Sequence, residues 1–96
     1  MTKYFLSESA KTDLINIWTY IADDDIDAAD NVLSEIQSAC EMLADSPGLG
    51  HSRKDLTSSG VRFWPVRNYL IIHHPSPSLE IVRVLSGFRD IINLLD

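Results

Sequence analysis

Apolar residues change their spacing once along this chain, and the change limits the folds that the chain can adopt. Between residues 8 and 45 they recur at intervals of three and four, which is typical of helices with one buried face. After residue 60 they form short runs rich in β-branched and aromatic side chains, over 61–67, 69–74 and 79–85, which is typical of strands. A helical part followed by a strand-rich part predicts the α+β class.

Capping and helix-breaking residues indicate where these elements begin and end. Residues 3–7 predict a short strand that ends at Ser7, a residue type that caps helices. We expect helices over 8–22 and from 26 to about 45, joined by a short acidic run and therefore folded as an antiparallel hairpin. A short C-terminal helix is expected over 88–95. The predicted order is β-α-α-β-β-β with that final helix, and the hairpin packs on a mainly antiparallel sheet.

The second half of the chain also carries turn and loop residues. Residues 46–60, which include a proline and three glycines, predict a long connecting loop. Asn68 predicts a tight turn between the first two of the later strands. Pro65 cannot donate a hydrogen bond to a neighbouring strand, so the strand over 61–67 is expected at an edge or with a bulge.

Charge is distributed unevenly along the chain, whose formal net charge is −6. Residues 1–50 carry two lysines against ten acidic residues, and residues 51–96 carry six basic residues against four acidic ones. Affinity for nucleic acid comes largely from a dense Lys/Arg surface that neutralises phosphates. The composition therefore argues against direct binding to nucleic acid.

Length and the remaining composition indicate one domain, over 1–96, in a reducing cytosol. Ninety-six residues suffice for a single core. Cys40 is the only cysteine, so no internal disulfide can form, and the first residues lack the pattern of an export signal. No run approaches the roughly 18 apolar residues of a membrane span, so we expect no membrane contact.

Two of the later strands are apolar on both faces. On 69–74, Tyr69 and Ile71 point to one side and Leu70 and Ile72 to the other. The strand over 79–86 is expected to divide in the same way, with one face formed by Leu79, Ile81, Arg83 and Leu85 and the other by Val82 and Val84. The hairpin can cover only one face of the sheet. We therefore expect the second face to bind another protein; the alternative is that the final helix seals it or that the domain self-associates.

The residues that could bind metal or catalyse a reaction are few. The acidic run near residue 23 lacks the glycine and glutamate that a calcium loop needs at its sixth and twelfth positions, so we expect it to cap the second helix. His73 and His74 are adjacent in a strand and cannot share a metal ion. Cys40 lies on an apolar helix stripe, where an inert thiol is expected. No metal and no cofactor are predicted.

One set of side chains on the sheet has the residue types that RNA cleavage needs. A base, an acid and a cation that stabilises the phosphate are required. If the chain is a nuclease, we expect the catalytic residues to be Arg62, His73 and Arg83, with His74 as the alternative base. Sequence spacing does not show that these side chains converge.

The order of several short motifs resembles the ParE branch of the RelE/ParE toxin superfamily. The resemblance runs over nearly the whole chain and rests on the order of its parts, since no part is specific alone. The motifs are Ala10…Asp13-Leu14…Ile17…Tyr20, Leu43…Pro47…Gly50…Arg53…Leu56…Gly60…Arg62, Val66…Tyr69-Leu70-Ile71 and Ile81-Val82-Arg83-Val84-Leu85…Gly87…Arg89-Asp90.

This resemblance implies a toxin of a bacterial type II toxin–antitoxin system that is not an enzyme. ParE-like toxins bind DNA gyrase, and a ParD-like antitoxin neutralises them by laying its C-terminal segment across the toxin as a hetero-oligomer. Contact with nucleic acid is expected only through that complex. The expected antitoxin-binding residues are Arg67, Leu70, Ile72, Arg83, Phe88, Ile91, Ile92 and Leu95. The candidates for gyrase binding, all expected to be exposed, are Arg53, Arg62 and Arg89.

Two alternatives remain open at this point. The superfamily also contains RelE-like enzymes that cut messenger RNA on the ribosome, but the residues after Arg89 include no Tyr, His, Lys or Arg. The other alternative is a non-toxic interaction module descended from such toxins. Ser86 leaves this alternative open, since it stands where the family often has His or Tyr before the glycine.

Overall fold

A computed structural model describes residues 4–46, 51–52, 61–75 and 78–86 of the chain. Two helices and five strands lie in these ranges, and they confirm the predicted α+β class. The elements are β1 (Phe5–Leu6), α1 (Glu8–Ala22), α2 (Ile26–Asp45), β2 (His51–Ser52), β3 (Arg62–Val66), β4 (Tyr69–His74) and β5 (Glu80–Ser86). The C-terminal helix predicted over 88–95 lies outside the described residues.

Both helices begin at side chains that cap them. The Ser7 Oγ accepts a hydrogen bond of 3.0 Å from the Ala10 N–H at the start of α1. At the start of α2 the Asp25 carboxylate accepts one of 3.1 Å from the Ala28 N–H. These bonds satisfy N–H groups that have no partner inside the helix. The predicted helix bounds and the capping role of the acidic run are therefore confirmed.

The sheet has the strand order β1-β5-β4-β3-β2. The pairs β2–β3, β3–β4 and β4–β5 are antiparallel, and β1 pairs in parallel with β5, so the sheet is mainly antiparallel as predicted. β2 lies inside the segment 46–60, where we predicted only a loop. That prediction is wrong at residues 51–52, because a strand of two residues is too short to show an apolar alternation.

The β3–β4 connection is a tight turn of two residues, Arg67 and Asn68. Arg67 adopts a φ of 56°, in the left-handed region that a side chain disfavours. Pro65 lies opposite Leu70 of β4, whereas β2 pairs only with the first two residues of β3. Along the described part of the sheet, Pro65 therefore lies at an edge, as its missing N–H requires.

A β-bulge in β5 changes which side chains share a face. Ile72 of β4 is paired with Arg83, but the next residue of β4, His73, is paired with Ile81, so Val82 is the extra residue. The bulge overturns the predicted division of this strand. The helix-facing core includes Leu79, Ile81 and Val84, whereas Leu85 packs with Val82 on the other side.

The described residues form two apolar clusters, one on each face of the sheet. The first lies between sheet and hairpin and includes Ile36, Leu43 and Ile71, each fully buried. The second is formed by Val61, Phe63, Leu70, Ile72 and Leu85, with Val82 packed against them. We expected a partner protein to bind this second face, with sealing by the chain itself or self-association as the alternative. Leu70 and Ile72 are 7% and 0% exposed, so these two side chains are not accessible at the surface of the isolated chain.

Within the described ranges, neither helix is both long enough and apolar enough to cross a membrane.

Candidate docking site along helix α1

Arg83 is held in place by a carboxylate of helix α1. Its Nε and Nη2 atoms donate hydrogen bonds of 2.7 and 2.8 Å to the two carboxylate oxygens of Asp13. The Val84 N–H donates a third, of 3.0 Å, to the same carboxylate. The hydrogen bond to Asp13 raises the pKa of Arg83 above its ordinary value. Asp13 therefore neutralises Arg83 and fixes α1 on β5.

This pair lies beside the bulge and explains how the bulge is accommodated. A bulge disrupts the regular ladder and leaves backbone groups in need of other partners. The Ser7 hydroxyl donates a hydrogen bond of 2.7 Å to the carbonyl of Val82, and Asp13 accepts from Val84 as described above. The N-cap of α1 and a side chain of its second turn thus provide partners for the carbonyl of the extra residue and for the N–H two residues later.

Arg67 is held in a similar way by helix α2. Its guanidinium forms an ion pair with the Glu35 carboxylate, and the hydrogen bond to Glu35 raises the pKa of Arg67. About half of each side chain is exposed, so this ion pair is weaker in water than the one at Asp13. Both sheet arginines predicted to contact an antitoxin are therefore paired with hairpin acids in the isolated chain.

A furrow runs along α1 where this helix crosses the sheet. It consists of two depressions of about 320 and 370 Å³ that share Asn16. Asp13 and Arg83 line the first depression, and the second lies between Tyr20 of α1 and Asn68 of the β3–β4 turn. We call this surface the α1–β5 furrow. Glu8 also lines the first depression, and Arg67, whose side chain pairs with Glu35 of α2, immediately precedes Asn68 in the β3–β4 turn. The furrow is open, mixed in polarity and long enough for an extended or helical segment.

Two of the residues predicted for a nuclease, His73 and Arg83, are buried or already paired. His73 is 0% exposed, and neither ring nitrogen has a hydrogen-bond partner in the described structure. Burial first, and then the charges of Arg62 and His74, lower its pKa to about 4. Although His73 and Arg62 are paired across β3 and β4, Arg83 is engaged by Asp13. A buried neutral imidazole cannot reach a proton on a bound RNA.

The other predicted site residues have varied positions. Leu70 and Ile72 are buried, and Arg62 is half-buried rather than exposed as predicted, because it lies within β3 between two paired strands. Six predicted residues lie outside the described ranges: Arg53, Phe88, Arg89, Ile91, Ile92 and Leu95.

Sequence reasoning did not assign roles to Asp13 and Glu35. Asp13 lies three residues after the buried Ala10 and directly before Leu14, at the border of the apolar stripe of α1. An acid at such a border is a usable signal, because a nearly buried carboxylate needs a partner. The exposed Glu35 carries no comparable signal.

Metal binding and thiol chemistry have no support in the described part of the chain. No group of three potential ligands occurs there. Cys40 is buried, and burial, followed by the charge of Glu41, raises the pKa of its thiol to about 12. The buried position expected for Cys40 is confirmed, and a thiol with this pKa is protonated at neutral pH.

Comparisons with known proteins agree with the architecture. The family model of the ParE toxin of type II toxin–antitoxin system, parDE, matches residues 4–91. The chain is 34% identical over 86 residues to Toxin ParE1 of Caulobacter vibrioides, and the match covers 88% of each chain. It is also similar in structure to a chain of the chromosomal ParDE toxin–antitoxin system from P. aeruginosa. That match has a TM-score of 0.74 and 17% identity, and it covers 92% of this chain and 98% of the other.

Proposed function

This chain belongs to the ParE toxins of type II toxin–antitoxin systems, and we propose that it arrests growth by binding DNA gyrase until a ParD-like antitoxin neutralises it. The main support is the family match over residues 4–91, which leaves little of the chain unaccounted for. The proposed place of action is the cytoplasm, where gyrase works on the chromosome.

The α1–β5 furrow is the antitoxin contact that we propose. Arg83 lines the furrow and Arg67 lies in the turn next to it, and an acidic antitoxin tail would complement these two charges. A guanidinium has five N–H donors, so an arginine held by one carboxylate can still bind a second one. The side chain of Arg83 is 27% exposed, which leaves part of it accessible from the furrow.

Fewer apolar residues are assigned to the antitoxin contact than the sequence predicted. Because Leu70 and Ile72 are buried, we assign them to the stability of the sheet rather than to first contact with the tail. Antitoxin binding stays a prediction for Phe88, Ile91, Ile92 and Leu95. The candidates for gyrase binding stay Arg53, Arg62 and Arg89.

We propose that the toxin acts by binding and not by cleaving RNA. This part of the proposal rests on His73, which is buried and neutral, and on Arg83, whose charge Asp13 balances. A phosphate-cleaving site needs an accessible base and an unbalanced cation next to the scissile bond. His73 is not accessible as a base, and Arg83 is not an unbalanced cation.

Expression of the chain alone tests the mode of toxicity. We expect growth arrest with induction of DNA damage signalling and intact messenger RNA. Cleaved transcripts with undamaged DNA would favour the RelE-like alternative. Normal growth under strong expression, with antitoxin binding retained, would favour the non-toxic module.

Charge reversal at Arg67 tests the antitoxin contact. The probe is the product of the neighbouring short reading frame, purified with the chain. We expect Arg67→Glu to weaken this complex about tenfold or more, since it replaces attraction of an acidic tail by repulsion. Lys11→Glu is the control, because it reverses an exposed charge on α1 that lies far along the chain from the β3–β4 turn. Equal losses in both variants would contradict the proposed contact.

A further inference from the structure

Two arginines lie at or beside the α1–β5 furrow, and they are held with different strength. Arg83 donates two hydrogen bonds to Asp13 and is mostly shielded from water. Arg67 forms its ion pair with Glu35 at the surface, where the two side chains are 52% and 45% exposed. Water and salt screen an ion pair in such a position, so it contributes little net free energy. The guanidinium of Arg67 can therefore exchange its partner, whereas that of Arg83 is fixed.

The backbone at Arg67 is also unusual. Arg67 is the first residue of the two-residue turn between β3 and β4, and among the described residues other than glycine it alone has a positive φ. Such turns favour glycine, asparagine or aspartate where φ is positive. The geometry of the turn does not account for an arginine here, whereas a contact made by its charged side chain does.

The charge of Arg67 lies beside the second depression of the furrow. The next two residues, Asn68 and Tyr69, line that depression. Glu35 first, and Tyr69 to a smaller extent, raise the pKa of Arg67, so its guanidinium lies near both side chains. The described residues that line the depression carry no charge. A segment bound there can therefore bring a carboxylate to Arg67 without meeting a like charge in the lining itself.

Glu35 opposes a second carboxylate that approaches Arg67. It lies on α2, outside the lining of the furrow, and contacts the guanidinium directly. A carboxylate that binds Arg67 from the furrow comes close to that of Glu35, and like charges at such short range repel each other. The two carboxylates therefore compete for one guanidinium.

We propose that Glu35 is an internal competitor of the antitoxin for Arg67. In the free chain Glu35 holds the guanidinium, and in the complex a carboxylate of the acidic antitoxin segment replaces it. Glu35 thus limits the affinity of the complex, and its removal should strengthen binding. This inference rests on the proposed function, because the competing partner is the antitoxin.

The variant Glu35→Gln tests the competition in the whole chain. The probe is the purified product of the neighbouring short reading frame, and titration calorimetry measures its affinity. We expect Glu35→Gln to bind it about two- to fivefold more tightly, which is the effect of one exposed ion pair. Binding should also weaken more steeply as salt is added, because the variant gains an ion pair on binding whereas the unmodified chain exchanges one for another.

Glu41→Gln is the matched control. It makes the same chemical change at an exposed position of the same helix, whereas the ion pair of Arg67 is formed with Glu35. The affinity of this variant should equal that of the unmodified chain. General repulsion between the chain and an acidic partner would be reduced by both substitutions, so the control separates it from competition for Arg67.

A double-mutant cycle shows whether the effect of Glu35 depends on Arg67. Arg67→Gln removes the charge for which the carboxylates compete, and it should weaken the complex about threefold or more. In that background Glu35→Gln should have no further effect. If Glu35 acted only by repelling the antitoxin, its removal would still tighten the complex there, and that result would contradict the competition.

Three further results would overturn the inference, and only the first also affects the proposed contact. An affinity unchanged by Arg67→Gln would remove both the antitoxin contact at Arg67 and the competition. If Arg67→Gln weakens the complex but Glu35→Gln does not tighten it, the contact stands and the competition is wrong. Equal tightening by Glu35→Gln and Glu41→Gln would reduce the effect to general charge. Loss of folded structure lowers affinity, so it cannot produce the tightening expected for Glu35→Gln.

Discussion

Asp13 joins two elements that are distant in the sequence, since its partner Arg83 lies 70 residues further along the chain. The side chain of Asp13 is 11% exposed, and it accepts three hydrogen bonds. A nearly buried carboxylate stabilises the fold only while all its hydrogen-bond partners remain, because a buried polar group without a partner lowers the free energy of unfolding. Asp13 is therefore a structural residue beside the proposed antitoxin contact.

Removal of Asp13 should destabilise the chain. We expect Asp13→Ala to lower the free energy of unfolding by about 2–3 kcal/mol, because it leaves the Arg83 guanidinium and the Val84 N–H without their acceptor. Urea denaturation followed by circular dichroism measures the change. A double-mutant cycle with Arg83→Ala gives the coupling free energy between Asp13 and Arg83. A value near zero would show that this ion pair contributes nothing to stability.

His73 makes stability depend on pH. Its pKa is about 4 in the folded chain and 6.5 in the unfolded one, so the unfolded state binds more protons between these values. Stability is complete above pH 6.5 and falls as the pH decreases to about 4. At 1.36 kcal/mol for each pKa unit, the total loss is about 3 kcal/mol.

The variant His73→Leu should remove this component of the acid dependence. We expect it to unfold at a higher urea concentration than the unmodified chain at pH 5, since a leucine has no ring nitrogen to protonate or to leave unpaired. Urea denaturation at pH 7, 6 and 5 measures how the free energy of unfolding changes with pH. His74→Gln is the control and should keep most of the decline, since burial is the first cause of the lowered pKa of His73; a decline of equal size in His73→Leu would contradict the assignment.

At the scale of the elements, the features that were predicted correctly are those that local interactions determine. Helix periodicity and the caps at Ser7 and Asp25 operate within a few residues, and the bounds of α1 and α2 were predicted correctly. The bulge at Val82 was missed because a strict alternation was assumed along β5. One extra residue exchanged the faces of Leu79 and Ile81 relative to Leu85.

The β3–β4 turn provides a test at the level of an element. Arg67 has a φ of 56°, where glycine is favoured, and it also forms the ion pair with Glu35. Both Arg67→Ala and Arg67→Gly lose the ion pair, but only glycine relieves the backbone. We expect Arg67→Gly to be more stable than Arg67→Ala by about 1 kcal/mol. Thermal unfolding of both variants measures this difference, and equal stability would exclude backbone strain at Arg67.

At the scale of the whole molecule, the fold class and strand directions could be predicted, but the cover of the sheet and the positions of the docking surfaces could not. Sequence patterns indicated that both faces of β4 are apolar, and both are buried. These patterns left open whether a partner or the chain itself covers the second face. The furrow depends on how α1 lies against β5, which is a long-range property.

Antitoxin binding should raise the stability of the whole chain. A ligand present at about 100 times its dissociation constant adds about 2.7 kcal/mol to a folded state that alone binds it. For a domain of this size, we expect the Tm to rise by about 4–8 °C. Differential scanning calorimetry of the complex and of its components measures the shift. Arg67→Glu should give a smaller rise at the same concentrations, and an unchanged Tm for the complex would contradict binding to the folded state.

The parallel pairing of β1 with β5 ties the two ends of the described structure together. Phe5 is opposite Glu80 and Leu6 is opposite Ile81, so the first strand finds its only described neighbour in β5, the last described strand. Asp13 of α1 likewise meets its arginine only after residue 83 has left the ribosome. Translation interrupted before that point would release a chain without its finished sheet. Such a fragment would also lack the surface that α1 and β5 form together, including the proposed antitoxin contact.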